Sequence, residues 1–304
     1  MSAWSDLFDV ADAVAGALAN GAPVVALEST IVSHGMPYPE NFETALAVQR
    51  TVRDAGATPA TIAVIGGRVK IGLDDSALER MSRAADVLKL SRADLPYAIA
   101  AGRDGATTVA ATMLLAHLAG IKVFATGGIG GVHRGAERTL DISADLYELA
   151  RTPVTVVCSG AKALLDLAKT LEALETLGVP VIAYRSDEFP AFWSRESGLK
   201  SPLRYDSAKN IAQFVRTQRA LQLNGGALVA NPIAHADEIP RAEMKGFIET
   251  AVREAEAAAI IGKAVTPWLL ERIGHLTAGR SLAANIALVK NNAGLGAEIA
   301  RFLC

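Results

Sequence analysis

Residues 122–162 read KVFATGGIGGVHRGAERTLDISADLYELARTPVTVVCSGAK, and this stretch decides the fold. Two short, continuous apolar runs, 122–125 and 154–158, have the form of buried strands. A glycine-rich turn, TGGIGGVHRG (126–135), follows the first, and SGAK (159–162) follows the second. Between them DISAD (141–145) sets Asp141, Ser143 and Asp145 at alternate positions. In an α/β sheet, ligands sit outside the carboxyl ends of the strands, where such turns collect. A lysine, two carboxylates, a histidine and a glycine loop meet here, so the stretch reads as an active site.

Each of these groups admits two roles. Asp141 or Ser143 can cap the helix that runs through Leu149. The same oxygens suit a hard divalent cation, Mg²⁺ or Mn²⁺, with water completing its shell. His133 fits a satisfied loop residue as well as a catalytic one. The loop is not a dinucleotide fingerprint, because His133 stands where the third glycine belongs after Gly128 and Gly130, and it lacks the lysine of a P-loop. Leu164, Leu165, Leu167, Ala168, Leu171, Leu174 and Leu177 have helical spacing, which predicts a helix directly after SGAK with Lys162 in its first turn. The positive helix end there opposes an ammonium and would free the amine to form a Schiff base with a carbonyl. The other role for Lys162 is a solvated face shared with Asp166 and Lys169.

Towards the N-terminus, helical spacing over 6–20 precedes a buried strand at 23–27. That strand ends in Glu28-Ser-Thr30 and a loop with two prolines and a glycine. A carboxylate at a strand's end is placed for acid/base work, or else for hydrogen bonds to nearby backbone. An amphipathic helix (40–55) leads to a strand at 61–65, and Gly66-Gly67 turns it into a hairpin with 68–72, which makes the sheet mixed. The next helix, 74–85, takes Asp74 or Asp75 as its N-cap. Lys89 interrupts an apolar run and points either to solvent or into a cleft. AGRDGATTV (101–109) opens a helix whose free N–H groups can hold an anion.

Towards the C-terminus, a strand at 179–184 precedes RSDEFPAFWSRESGLKSPLRYD (185–206), a loop long enough to serve as a lid. A helix (207–223), a strand (227–230), a helix after Pro240 and a strand at 258–261 follow. Asn285 interrupts the apolar face of a last helix beginning at Ser281, where it can satisfy backbone groups or reach a sugar hydroxyl.

The chain has 304 residues, 51% of them hydrophobic and 20% charged, the balance of a globular protein able to bury a large core as one domain, 1–304. A net charge of −2 lacks the basic footprint of a nucleic-acid binder. No apolar run has the length of a membrane span, and the N-terminal residues lack the basic region of a secretory signal. Cys158 and Cys304 suggest neither a disulfide framework nor a zinc site. A cytoplasmic location is the expectation.

VALESTIVSHGMPYPEN, LKLSRADLP, GATTVAATM, FATGGIGGVHRG, DISADL, VCSGAK and SLAANIALVKNNA occur in this order along the chain. Together they resemble the pseudouridine-5′-phosphate glycosidase family, also called indigoidine synthase A-like, from about Pro23 to Leu303. The resemblance implies a lyase that splits the C–C glycosidic bond of pseudouridine 5′-phosphate, reversibly and with Mn²⁺, into uracil and ribose 5-phosphate. It implies Lys162 as Schiff-base nucleophile, Glu28 as proton donor and Asp141 as metal ligand. Ser143, Ala144 and Asp145 would contact substrate and metal-bound water. Lys89 and Val109 match substrate-contacting positions, and Thr126, His133 and Asn285 match further active-site positions. It also implies a homotrimer and a three-layer α/β/α sandwich around a mixed, largely parallel sheet. The rival reading is a Schiff-base aldolase acting on another sugar phosphate, which shares the lysine but needs no pyrimidine pocket. A sugar kinase would require a phosphate-clamping motif that the sequence lacks, and the older family name alone suggests a non-catalytic accessory of pigment synthesis.

Overall fold

The structure is a computed structural model that describes residues 5–260, 262 and 265–304. The eleven strands among the described residues form one mixed sheet. In chain order they are β1 (Phe8–Val10), β2 (Val24–Leu27), β3 (Thr58–Ile65), β4 (Arg68–Ile71), β5 (Leu88–Leu90) and β6 (Gly105–Thr107). β7 (Val123–Ala125), β8 (Thr155–Cys158), β9 (Val181–Tyr184), β10 (Leu203–Tyr205) and β11 (Ala227–Ala230) follow. The order across the main path is β1-β4-β3-β2-β7-β8-β11-β9-β10, with β6 joining β3 and β5 joining β6. From β3 through β2, β7, β8, β11 and β9 to β10 every pairing is parallel. Only the pairs of β3 with β4 and with β6 are antiparallel. Gly66 and Gly67, both at positive φ, make the tight β3–β4 turn that a side chain would strain.

The central strands are buried on both faces because helices cover both. Helices Glu40–Asp54, Ala208–Ala220 and Arg280–Leu303 pack together, the last lying across β2, β7 and β8. Helices Val109–Leu118 and Ala144–Arg151 pack together as a second group, the first of them against β2, β3 and β7. This is the expected α/β sandwich around a mixed, largely parallel sheet. The β-branched strand residues Val25, Val64, Val123, Val156 and Val229 are fully buried, as strands without a wet face require.

Several elements differ from the sequence reading, among them a short helix, Thr30–His34, and strand β10, which lie in segments read as loops. Residues 8–10 are not helical but form an edge strand parallel to β4, and the helix begins only at Asp12. A sheet partner distant in sequence overrides the local apolar spacing there. Helix Arg241–Ala257 runs into a turn at 258–259, so no strand forms at 258–260, and Ile261 lies outside the described residues. The helix after SGAK begins at Leu167, capped by Asp166, so Lys162 lies in the turn ahead of it. Leu164 and Leu165 are buried by that turn rather than by a helix face. The helix-end electrostatics expected for Lys162 therefore have no source. Asp74, in contrast, caps its helix as expected, accepting from the Ala77 N–H at 2.8 Å.

Candidate active site

The carboxyl end of β2 explains the local sequence Glu28-Ser-Thr. Ser29 and Thr30 knit three strand ends together. Ser29 Oγ donates to the Ile62 carbonyl (2.7 Å) and accepts from the Thr107 N–H (2.8 Å), while Thr30 Oγ1 donates to the Thr107 carbonyl (2.8 Å). Glu28, the remaining member, enters a pocket. Lys89 from β5, Thr126–Gly128 after β7, Lys162 after β8, and Asn285 and Val289 from the last helix line the same pocket. Its apolar wall comes from Ile31, Met36, Phe192, Pro267, Leu270 and Val289. Lys89 thus faces the cleft, not solvent.

Glu28 does not bond to backbone in the way its simpler reading required; its Oε1 accepts from the Thr126 hydroxyl. Enclosure by protein pushes its carboxyl above the ordinary carboxylate range, against the pull of the Lys162 ammonium and the Thr126 hydrogen bond. A carboxyl held this way keeps its proton to higher pH and can donate it. Burial likewise holds His133 below the ordinary histidine range, with Asp141 opposing and Lys162 and Lys89 reinforcing the effect. Cys158, at the end of β8, is fully buried and its thiol is pushed up to about 12, which leaves it inert.

Asp145 belongs to the framework around the pocket. It is 6% exposed, and its carboxylate accepts from the Ala110 N–H (2.9 Å) and the Gly130 N–H (2.8 Å). It therefore ties the first turn of helix Val109–Leu118 to the glycine loop. Thr108 caps the same helix, so the anion site expected at this helix start is partly filled by the protein's own groups. Val109, the first helical residue, is buried, and its side chain is not in the pocket lining. Ser143 is the N-cap of helix Ala144–Arg151, accepting from the Asp145 N–H, and Ala144 is exposed. Gly130 is obligatory, because a Cβ there would collide with Ser143 Oγ and stand 2.9 Å from Asp145 Oδ2.

Asp141 is half-exposed, with its Oδ2 3.8 Å from His133 Nδ1. Among the described residues no three His, Cys, Asp or Glu side chains converge on a metal position. An open carboxylate of this kind fits a hard divalent ion that keeps most of its water, not a closed protein cage.

Two supporting groups escaped the sequence reading. Asn285 Oδ1 accepts from Trp193 Nε1 at 2.7 Å, which fixes the amide at the pocket edge. Trp193 and Phe189 are fully buried, so this part of the 185–206 segment is a packed wall. Asn292, fully buried on the last helix, donates from Nδ2 to the Thr126 carbonyl (2.8 Å) and to Ser159 Oγ (3.1 Å). Its Oδ1 accepts from Asn231 Nδ2 at 3.0 Å. One amide thereby holds the turns after β7, β8 and β11 in register.

The chain resembles proteins of one kind over nearly its full length. It is 65% identical to a pseudouridine-5′-phosphate glycosidase of Methylobacterium nodulans over 97% of this chain and 87% of that protein. It is 58% identical to the protein of the same name from Geobacillus kaustophilus, over 98% and 99% of the two chains. Among solved structures, the prealnumycin C-glycosynthase AlnA, in complex with ribulose 5-phosphate, superposes with a TM-score of 0.91 at 39% identity, covering 98% of this chain and 97% of that one. An indigoidine synthase A-like protein from Thermotoga maritima superposes with a TM-score of 0.88 at 34% identity, covering 97% and 95%. Residues 13–302 match the family described as indigoidine synthase A like protein, and the chain belongs to that family.

Proposed function

We propose that this protein cleaves the C1′–C5 bond of pseudouridine 5′-phosphate to uracil and ribose 5-phosphate, reversibly, through a Schiff base between Lys162 and ribose C1′. The observation that carries the reading is a single pocket holding a lysine amine and a carboxyl whose pKa burial raises. The bond to be broken joins two carbons, so the leaving base has no glycosidic heteroatom for an acid to protonate, as it would in an ordinary glycosidase. An amine supplies what acid/base help alone cannot.

Once the Lys162 ammonium has given a proton to solvent, its lone pair attacks C1′ and forms a C–N bond as C1′–O4′ breaks. The electron pair goes to O4′, which takes the proton shed by nitrogen. The nitrogen lone pair then forms C=N as C1′–C5 breaks, and the electron pair moves to C5, where Glu28 delivers its proton. Thr126 orients that carboxyl by its hydrogen bond. Water adds to the iminium and releases ribose 5-phosphate, and the proton left on the lysine returns to Glu28. A divalent ion, Mn²⁺ by resemblance or Mg²⁺ in its place, one per subunit, would be held by Asp141 and would supply charge that orders water beside the ring. The homotrimer and the cytoplasmic location belong to the same proposal. No helix among the described residues is long and apolar enough to cross a membrane, and sedimentation of the purified protein tests the assembly.

The deciding experiment measures uracil release from pseudouridine 5′-phosphate, with Mn²⁺ and with chelator, and borohydride trapping of the adduct. Release that needs the metal, with the trapped sugar on Lys162, is the expected outcome. A fully active Lys162→Ala enzyme would sink the mechanism. No release from a folded, metal-supplied protein would turn the reading to an aldolase of another sugar phosphate.

A further inference from the structure

His34, a residue of the pocket lining, carries a ring nitrogen that no group serves. It ends the short helix Thr30–His34 that follows Glu28, and it lines the same pocket as Glu28, Lys89, Lys162 and Asn285. Asn41 holds this helix in place, its Nδ2 donating to the carbonyls of Val32 (2.7 Å) and Ser82 (2.9 Å). The carbonyls of Leu88 and Val87 face the imidazole, so one ring nitrogen carries the proton and donates it to main chain. Nε2 is shut off from solvent and has no hydrogen-bond partner among the described residues. It is the one buried side-chain nitrogen or oxygen left so among them. With one ring nitrogen donating to main chain, Nε2 is the acceptor of the neutral ring, the form that burial and the nearby Lys89 ammonium favour by lowering its pKa. Buried polar atoms are seldom left without a partner, whether protein, water or ligand.

The chemistry of the neighbours selects the donor. A neutral acceptor gives nothing to a phosphate. Beside it stands the apolar wall of Ile31, Met36, Phe192 and Leu270, which suits the faces of a flat ring. On the reaction proposed above, the ring available is the pyrimidine, which in pseudouridine carries N–H groups at both N1 and N3. We infer that His34 Nε2 accepts a hydrogen bond from a base N–H, and that His34 selects and positions the base without taking part in bond cleavage.

The test compares kcat and KM for pseudouridine 5′-phosphate and its N1-methyl and N3-methyl analogues, in the unaltered protein and in His34→Phe and His34→Gln. The unaltered protein should reject one of the two analogues. His34→Phe should raise KM for the parent substrate about tenfold to a hundredfold, with kcat changed less than about threefold. It should also lose the discrimination against that analogue, because a site built around a hydrogen bond rejects a ligand lacking it and an apolar site does not. His34→Gln, which offers a carbonyl acceptor, should recover part of both. Equal use of all three substrates by the unaltered protein overturns the inference even where a variant does not fold. So does a folded His34→Phe with unchanged KM, or one that loses kcat alone. Uracil release by the unaltered protein is the control: without it the proposed reaction falls, and with it present the inference stands or falls alone.

Discussion

Replacing Asp145 separates a structural strut from a chemical group. Its carboxylate accepts two buried main-chain N–H groups, from Ala110 at 2.9 Å and Gly130 at 2.8 Å. Asp145→Ala leaves both donors unpaired, at about 1–3 kcal/mol each, and the expected loss of stability is about 3–5 kcal/mol. At about 2.1 cal/mol/K of unfolding entropy per residue, 304 residues give about 0.6 kcal/mol/K, so the melting temperature should fall by about 5–8 °C. Asp145→Asn keeps one acceptor and turns an amide N–H₂ towards the other donor, which should cost about half as much. Turnover should fall in both, because the glycine loop that carries Gly127 and Gly128 into the pocket is no longer tied to the helix start. Thermal unfolding monitored by circular dichroism, run beside the uracil assay, reads both quantities. An Asp145→Ala protein that melts at the wild-type temperature while losing activity would refute the strut and return this carboxylate to the chemistry.

Glu28→Gln should lower turnover by about 10²–10⁴-fold, the usual worth of a positioned general acid, while raising stability at neutral pH. The folded protein holds the Glu28 proton more tightly than the unfolded chain, so this group's stabilising contribution is full at low pH and lost as pH rises through its raised pKa. Glutamine carries no charge to bury, so the gain over wild type in denaturant midpoints should grow from pH 4 to pH 8; a constant difference would count against it. Glu148 runs the opposite way. It is fully buried, and although burial raises its pKa, hydrogen bonds from Arg92, Thr152 and Arg151 hold it below the ordinary glutamate range. Its stabilisation is present above that ordinary value and lost as pH falls through the lowered one. Glu148→Gln should cost about 1–3 kcal/mol at pH 7 by urea unfolding, because the arginines it leaves, Arg92 and Arg151, reach solvent, and the difference from wild type should shrink on acidification.

The sequence discloses what short-range patterns encode. Short continuous apolar runs mark β2, β7, β8 and β11, paired glycines mark the β3–β4 turn, and Asp74 marks a helix start, because each of these depends on residues within a few positions. Glu28, Lys89, Thr126, Lys162 and Asn285 were legible as candidates, and the fold gathers them into one pocket. What stayed hidden depends on partners far along the chain. β1 is a strand only because β4 lies beside it. Leu164 and Leu165 mimic a helical stripe while being buried in a turn. Asp145 resembles a ligand by its spacing from Asp141, and only the approach of Ala110 and Gly130 reveals its bonds. The link from Trp193 to Asn285 spans 92 positions, beyond any local signal.

The amide of Asn292 has a consequence for the order in which the protein becomes an enzyme. Ribosomes make the chain from its N-terminus, and early segments can begin folding while later ones are still being added. Glu28, Lys89 and Lys162 all precede the helix Arg280–Leu303, which brings Asn285 and Val289 to the pocket and Asn292 to the turns after β7, β8 and β11. During synthesis Lys162 therefore exists before the element that closes the pocket around it. The pocket is complete only once the last helix has been made, and a nascent chain carrying Glu28 and Lys162 lacks that wall of it.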